Sequence, residues 1–109
     1  MKKEKTFGFK VSITRFAIDW NPGFVECRFT DAWGKEFIFV EKVPVVTLEY
    51  LTAQSDYPKD GVIACEVIDA WTDPQGRKLL TVDTEKPWYI ETVDGLQQFD
   101  IEEKDLIEI

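Results

Sequence analysis

The sequence predicts an all-β fold: a small barrel or roll of six to seven mostly antiparallel strands with one short helical turn. Three observations carry this. Apolar residues alternate with polar ones in short runs, the period of a strand with one buried face. Turn signals rich in Asn, Asp, Pro and Gly separate those runs. One hairpin pattern occurs twice.

Residues 6–20 read as one long strand. Phe7, Phe9, Val11 and Ile13 hold one phase, and Phe16, Ile18 and Trp20 hold the other. A period of two that slips by one residue is the signature of a β-bulge, placed here at Thr14–Arg15. Such a bend lets one strand serve two parts of a curved sheet. Asn21-Pro22-Gly23 makes a turn. Residues 24–31 and 35–43 form a hairpin through Ala32-Trp33-Gly34, with Val25, Cys27 and Phe29 on one face. An even-numbered loop would set Ile38 and Val40 opposite them and turn Phe37 and Phe39 to the other side.

Residues 44–60 are an irregular connection. Thr47 is placed to cap a helical turn whose Leu48 and Leu51 face inward. Residues 62–71 and 77–84 form a second hairpin around Thr72-Asp73-Pro74-Gln75. A third is expected over 88–93 and 96–101, because Asp94-Gly95 tolerates positive φ. That register puts Trp88, Ile90, Phe99 and Ile101 on one face. Leu106, Ile107 and Ile109 supply a short final strand or a turn against the body.

The repeat covers residues 23–44 and 61–87. Aligned with a four-residue insertion at Thr72–Gln75 and one at Lys86, it has eight identities, among them Gly23/Gly61, Cys27/Cys65 and Gly34/Gly76. The shared stretch Asp31-Ala32-Trp33 and Asp69-Ala70-Trp71 then lies at the same corner of both hairpins. Its Asp would accept turn N–H groups. Its Trp would cover a barrel end with the indole N–H toward water, or anchor a partner.

A chain of 109 residues with 44% hydrophobic and 14% aromatic content suits a single domain spanning 1–109 with a real core. No seven-residue apolar run opens the chain, since Lys10 and Arg15 interrupt it, and no stretch approaches about 20 apolar residues. The expected location is cytoplasmic, with Cys27 and Cys65 as reduced core thiols. The chain has no histidine. That removes Ser-His-Asp and Cys-His pairs and His-based metal sites, and two cysteines cannot make a four-cysteine zinc site. There is no Gly-rich phosphate loop and no EF-hand spacing. No cofactor and no metal are expected.

Net charge is −8 and uneven: residues 1–42 carry eight Lys/Arg and six Asp/Glu, and 43–109 carry five and fifteen. An acidic surface favours basic partners and repels phosphate backbones. The reading is therefore a non-catalytic module for a protein partner, with Trp33, Trp71, Asp31 and Asp69 as candidate contacts. In size, acidity and lack of catalytic motifs the chain is similar to small inhibitor or immunity proteins that neutralise basic toxins, though no motif is shared. Two alternatives stand beside this. One is a single-stranded nucleic-acid binder using Lys10, Arg15, Arg28 and Lys35. The other is a carboxylate-based enzyme using Asp31, Asp69 or Glu66.

Overall fold

The computed structural model describes residues 5–109; the basic opening residues 1–4 lie outside it. Among the described residues seven strands form one curled, antiparallel sheet, a half-barrel, with one short α-helical turn. They are β1 (Phe7–Ile18), β2 (Phe24–Thr30), β3 (Glu36–Lys42), β4 (Lys59–Thr72), β5 (Lys78–Asp83), β6 (Gln98–Glu102) and β7 (Leu106–Glu108). The helical turn α1 spans Val43–Val46. A 3-10 turn at Glu103–Asp105 joins β6 to β7. The strand order is β3-β2-β1-β4-β5-β6, with β7 also paired to β1.

The long first strand organises the sheet. Its first half pairs with β4 and β7, and its second half with β2. The β1–β2 register slips between Ile13 and Arg15, so Thr14 is the extra residue of the expected bulge. The bend lets β1 contribute Phe9, Val11 and Ile13 to the core and then lead away to a surface turn. Phe9, Phe29, Phe39 and Phe99 are buried and packed edge-on or tilted against one another, with ring centroids 4.5–6.5 Å apart. Such aromatic pairs stabilise beyond their buried area.

The two ends of the sheet nearly meet. Ala32 in the β2–β3 turn donates its N–H to the Asp100 carbonyl of β6 (2.9 Å), and Val93 donates to the Ile38 carbonyl of β3 (2.9 Å). These bonds satisfy backbone groups on the sheet's two end strands, which would otherwise be open edges.

The β2–β3 register departs from expectation. Phe29 lies opposite Phe37 and Cys27 opposite Phe39. Phe37 and Phe39 therefore share the core face with Val25, Cys27 and Phe29, and Ile38 and Val40 take the other side. The cause is the loop. Gly34, at φ +84°, follows a turn closed by Gly34 N–H to Asp31 C=O (3.1 Å), while Asp31 N–H bonds to Lys35 C=O (2.9 Å). A turn followed by a left-handed glycine makes an odd-numbered connection, which moves the register by one residue.

The same turn is built three times. Asp73 and Gly76 repeat it in the β4–β5 hairpin, and Thr92 and Gly95 repeat it before β6, with glycine φ values of +85° and +81°. In each, the side-chain oxygen of the first residue accepts the N–H of the fifth: Asp31 from Lys35 (2.9 Å), Asp73 from Arg77 (2.8 Å), Thr92 from Leu96 (3.0 Å). Asp73 is thus the counterpart of Asp31. Asp69-Ala70-Trp71 lies inside β4 instead, just past another register shift between Val67 and Asp69. The four extra residues of the second hairpin lengthen its strand rather than its turn.

Three other expectations are corrected. Residues 88–93 form no strand, and β6 pairs with β5. The donors of this segment are used locally: Tyr89 N–H bonds to Glu85 C=O and Ile90 N–H to Thr84 C=O. The third hairpin is reduced to its Thr92–Leu96 turn. Ile90, Phe99 and Ile101 are core residues as expected, but Trp88 is 53% exposed. In the 44–60 connection the helical turn ends at Thr47 rather than starting there. Leu51 is buried, while Leu48 is fully exposed.

Cys27 and Cys65 are free and buried. Cys27 sits across from Ile13 of β1 and Cys65 across from Phe7. Six residues of strand separate those rungs, about 20 Å at 3.3 Å per residue, too far for a disulfide.

Candidate functional site

Trp33 and Trp71 do come together, though from a turn and a strand. Their ring centroids are 6.1 Å apart. Rungs Asp69↔Thr81↔Asp100 and Trp71↔Leu79 run across β4, β5 and β6 and set these side chains on the outer face. The indole N–H groups do not point to water. Trp33 Nε1 donates to Asp100 Oδ2 (3.0 Å) and Trp71 Nε1 to Thr81 Oγ1 (3.2 Å). Thr81 Oγ1 in turn donates to Asp100 Oδ1 (2.8 Å). Arg77 lies over the Trp33 ring (5.1 Å to the centroid) and donates to the Ala32 carbonyl (2.9 Å) and to Asp73 (2.8 Å). Burial works against ionisation of Asp73, but the backbone N–H and guanidinium of Arg77 outweigh it and hold the carboxyl below the ordinary aspartate range.

This cluster ties the first hairpin's turn to the far end of the sheet. Both indole N–H groups are satisfied from within it, and Leu79, facing Trp71 across the strands, is 1% exposed. Asp31 is engaged by the N–H groups of Trp33 and Lys35 (both 2.9 Å). Asp69 and Glu66 are exposed on β4, and among the described residues Asp69 accepts only the adjacent Ala70 N–H (2.9 Å). No group of three or more potential metal-ligating side chains occurs among the described residues.

Three of the four cations considered for nucleic-acid binding are paired with carboxylates among the described residues. Lys10 pairs with Asp60 (3.3 Å), and Lys35 lies over the Phe37 ring (5.1 Å). Arg15 and Arg28 both pair with Glu26 (3.1 Å each), and Arg28 reaches Glu36 as well (2.7 Å). Glu26 is 7% exposed. The Thr14 hydroxyl donates to it at 2.8 Å and, against the cost of burial, joins the two guanidinium groups in holding its carboxyl below the usual glutamate range.

A different surface has unengaged groups. The end of β1, the turn at 19–23, α1 and the 47–52 segment enclose an apolar cleft of about 410 Å³. Phe16 forms part of its wall. Its ring lies so close to Gly23 that a Cβ there would meet Phe16 Cζ at 2.0 Å, so any larger residue would have to displace the ring. Trp20 (71% exposed), Leu48 (fully exposed) and Tyr50 (90% exposed) stand around the mouth. Asp19 and Glu49 supply negative charge at the rim, with Lys59 3.7 Å from Glu49. Unlike Trp33 and Trp71, neither Trp20 Nε1 nor Tyr50 Oη hydrogen-bonds to another described residue.

The sequence reasoning missed this cleft. A signal was present: Leu48, Tyr50 and Leu51 are apolar or aromatic in a segment with no strand period, and Trp20 sits directly before an Asn-Pro-Gly turn. Large apolar side chains outside any regular element are buried only where the connection folds back on the core, as at Leu51, and Leu48 and Tyr50 are not.

Comparison with known proteins finds no matching family model, no matching curated protein and no matching solved structure. Among the described residues no helix is long and apolar enough to cross a membrane.

Proposed function

We propose that this protein is a non-catalytic binding module for a protein partner, with the cleft between residues 16–23 and 43–52 as its contact surface. The observation that carries this is the grouping of Trp20, Leu48 and Tyr50, all strongly exposed, around one concave apolar site. Single exposed apolar residues are ordinary on a protein surface, but a contiguous patch around a cleft is a feature of interaction sites. Trp and Tyr are also the residues that concentrate binding energy. The net charge of −8 favours a basic partner. In this reading the Trp33–Trp71 cluster supports the fold, because its hydrogen-bonding groups are already used.

The test is selection of binding peptides from a random display library, followed by measurement on Trp20→Ala and Trp33→Phe proteins. Selected peptides should be enriched in basic residues and lose at least tenfold in affinity on Trp20→Ala but not on Trp33→Phe. Failure to select binders, or binders indifferent to Trp20→Ala, rejects the cleft as the contact surface.

A further inference from the structure

Resting on that reading of the cleft, we infer that its occupant is an extended, proline-rich segment of a partner chain carrying a basic residue. Three features point this way. First, the mouth combines flat aromatic surface from Trp20 and Tyr50 with Pro22 and Pro44 in the lining, a surface suited to stacking against pyrrolidine rings. Proline-rich segments dock in aromatic-lined grooves because their polyproline II form is already ordered and loses little entropy on binding.

Second, the cleft offers donors. Trp20 carries an indole N–H and Tyr50 a phenolic O–H, and neither is bonded to a described residue. A polyproline II chain has no internal hydrogen bonds, so its carbonyls are free to accept from both. A helix presents mainly side chains at its surface and frees carbonyls only in its last turn, so it offers these two donors far fewer backbone acceptors. Third, the charge is complementary. Asp19 makes no ion pair with another described residue, whereas Glu49 is shared with Lys59 at 3.7 Å. Asp19 is therefore the rim's open charge, and one Arg or Lys beside the prolines would meet it.

The test uses three blocked synthetic peptides: consecutive prolines ending in arginine, the same prolines ending in glutamate, and an alanine-rich helical peptide with a leucine stripe and one arginine. Binding is followed on the tryptophan indole N–H signals by NMR, with the Trp20 signal assigned from the Trp20→Ala protein. The proline–arginine peptide should move the Trp20 signal and leave those of Trp33 and Trp71 in place. It should bind several-fold more tightly than the proline–glutamate peptide. Tyr50→Phe removes one hydrogen bond and should weaken binding about fivefold. If the helical peptide moves the Trp20 signal and the proline peptides do not, the cleft remains a binding surface and the proline inference is overturned. If no peptide moves the Trp20 signal, the proline inference is overturned as well, and display selection decides the cleft's role separately.

Discussion

Replacing Trp33 with Ala should cost the fold far more than replacing Trp20, although both indoles are at least half exposed. A tryptophan side chain presents roughly 250 Å². Trp33 is 53% exposed, so about half of that area is covered, mainly by Trp71 and Arg77. At about 25 cal/mol per Å² this gives roughly 3 kcal/mol as an upper bound, and about 2 kcal/mol with a realistic unfolded chain. The indole bond to Asp100 contributes about 1 kcal/mol after allowing for its partial exposure. The expected cost of Trp33→Ala is therefore about 3 kcal/mol. Trp20 is 71% exposed and forms no such bond, so Trp20→Ala should cost about 1 kcal/mol by the same reasoning. Urea unfolding followed by circular dichroism measures both. In a thermal melt the first variant should fall by about 12 °C or more and the second by about 4–8 °C. A cycle with Asp100→Ala should return a coupling near 1 kcal/mol with Trp33 and none with Trp20. A cost for Trp33→Ala below 1 kcal/mol, or equal costs for the two variants, would refute the view that the Trp33 cluster holds the ends of the sheet together.

Three further outcomes are expected. Glu26 has a folded carboxyl held below its ordinary value of 4.5, so its contribution is complete above that value and disappears as the pH falls through the folded one. The stability difference between the native protein and Glu26→Gln, about 1–2 kcal/mol at neutral pH once the exposure of both arginines is discounted, should shrink in urea titrations run below pH 4.5; a gap that stays constant into strong acid contradicts this. Alanine at Gly34, Gly76 or Gly95 meets open space but must adopt φ above +80°, so each substitution should cost about 1 kcal/mol in the same assay, and a neutral result at all three would undo the three-turn description. Burial pushes the Cys65 thiol up to about 12, and burial with Glu41 and Glu26 does the same for Cys27, so both should resist iodoacetamide in the native protein and react once it is unfolded in urea; rapid native labelling of either would show that its strand opens.

Much of the architecture was legible because it rests on local periodicity. The phase slip at Thr14 marked the bulge, and turn signals with apolar runs marked the strand segments, but the strand expected over 88–93 does not form. That error has a definite cause. Asp94-Gly95 is a valid turn signal and the turn forms, but a turn does not choose the partner of its flanks. β5 competes for β6 and wins, which leaves 84–97 as an excursion anchored by buried Thr84 and Ile90. The repeat shows the same limit. Asp-Ala-Trp matches twice in sequence, yet only Asp31 is a turn residue, and the matching turn is Asp73-Pro74-Gln75-Gly76. The glycine spacing carried the better signal, since only a left-handed position requires it.

By itself the sequence determined an acidic all-β domain, its strand segments, the first bulge, the core phase of Val25, Cys27 and Phe29, and the absence of histidine chemistry. Tertiary structure decided the register of β3, the meeting of Trp33 with Trp71, and the cleft around Trp20, Leu48 and Tyr50. The physical reason is the range of the interactions. Alternation and turn chemistry act over a few residues and are written in neighbouring letters. Closure of the sheet and enclosure of a cleft depend on segments tens of residues apart, and no local pattern says which of two exposed tryptophans has its N–H already bonded.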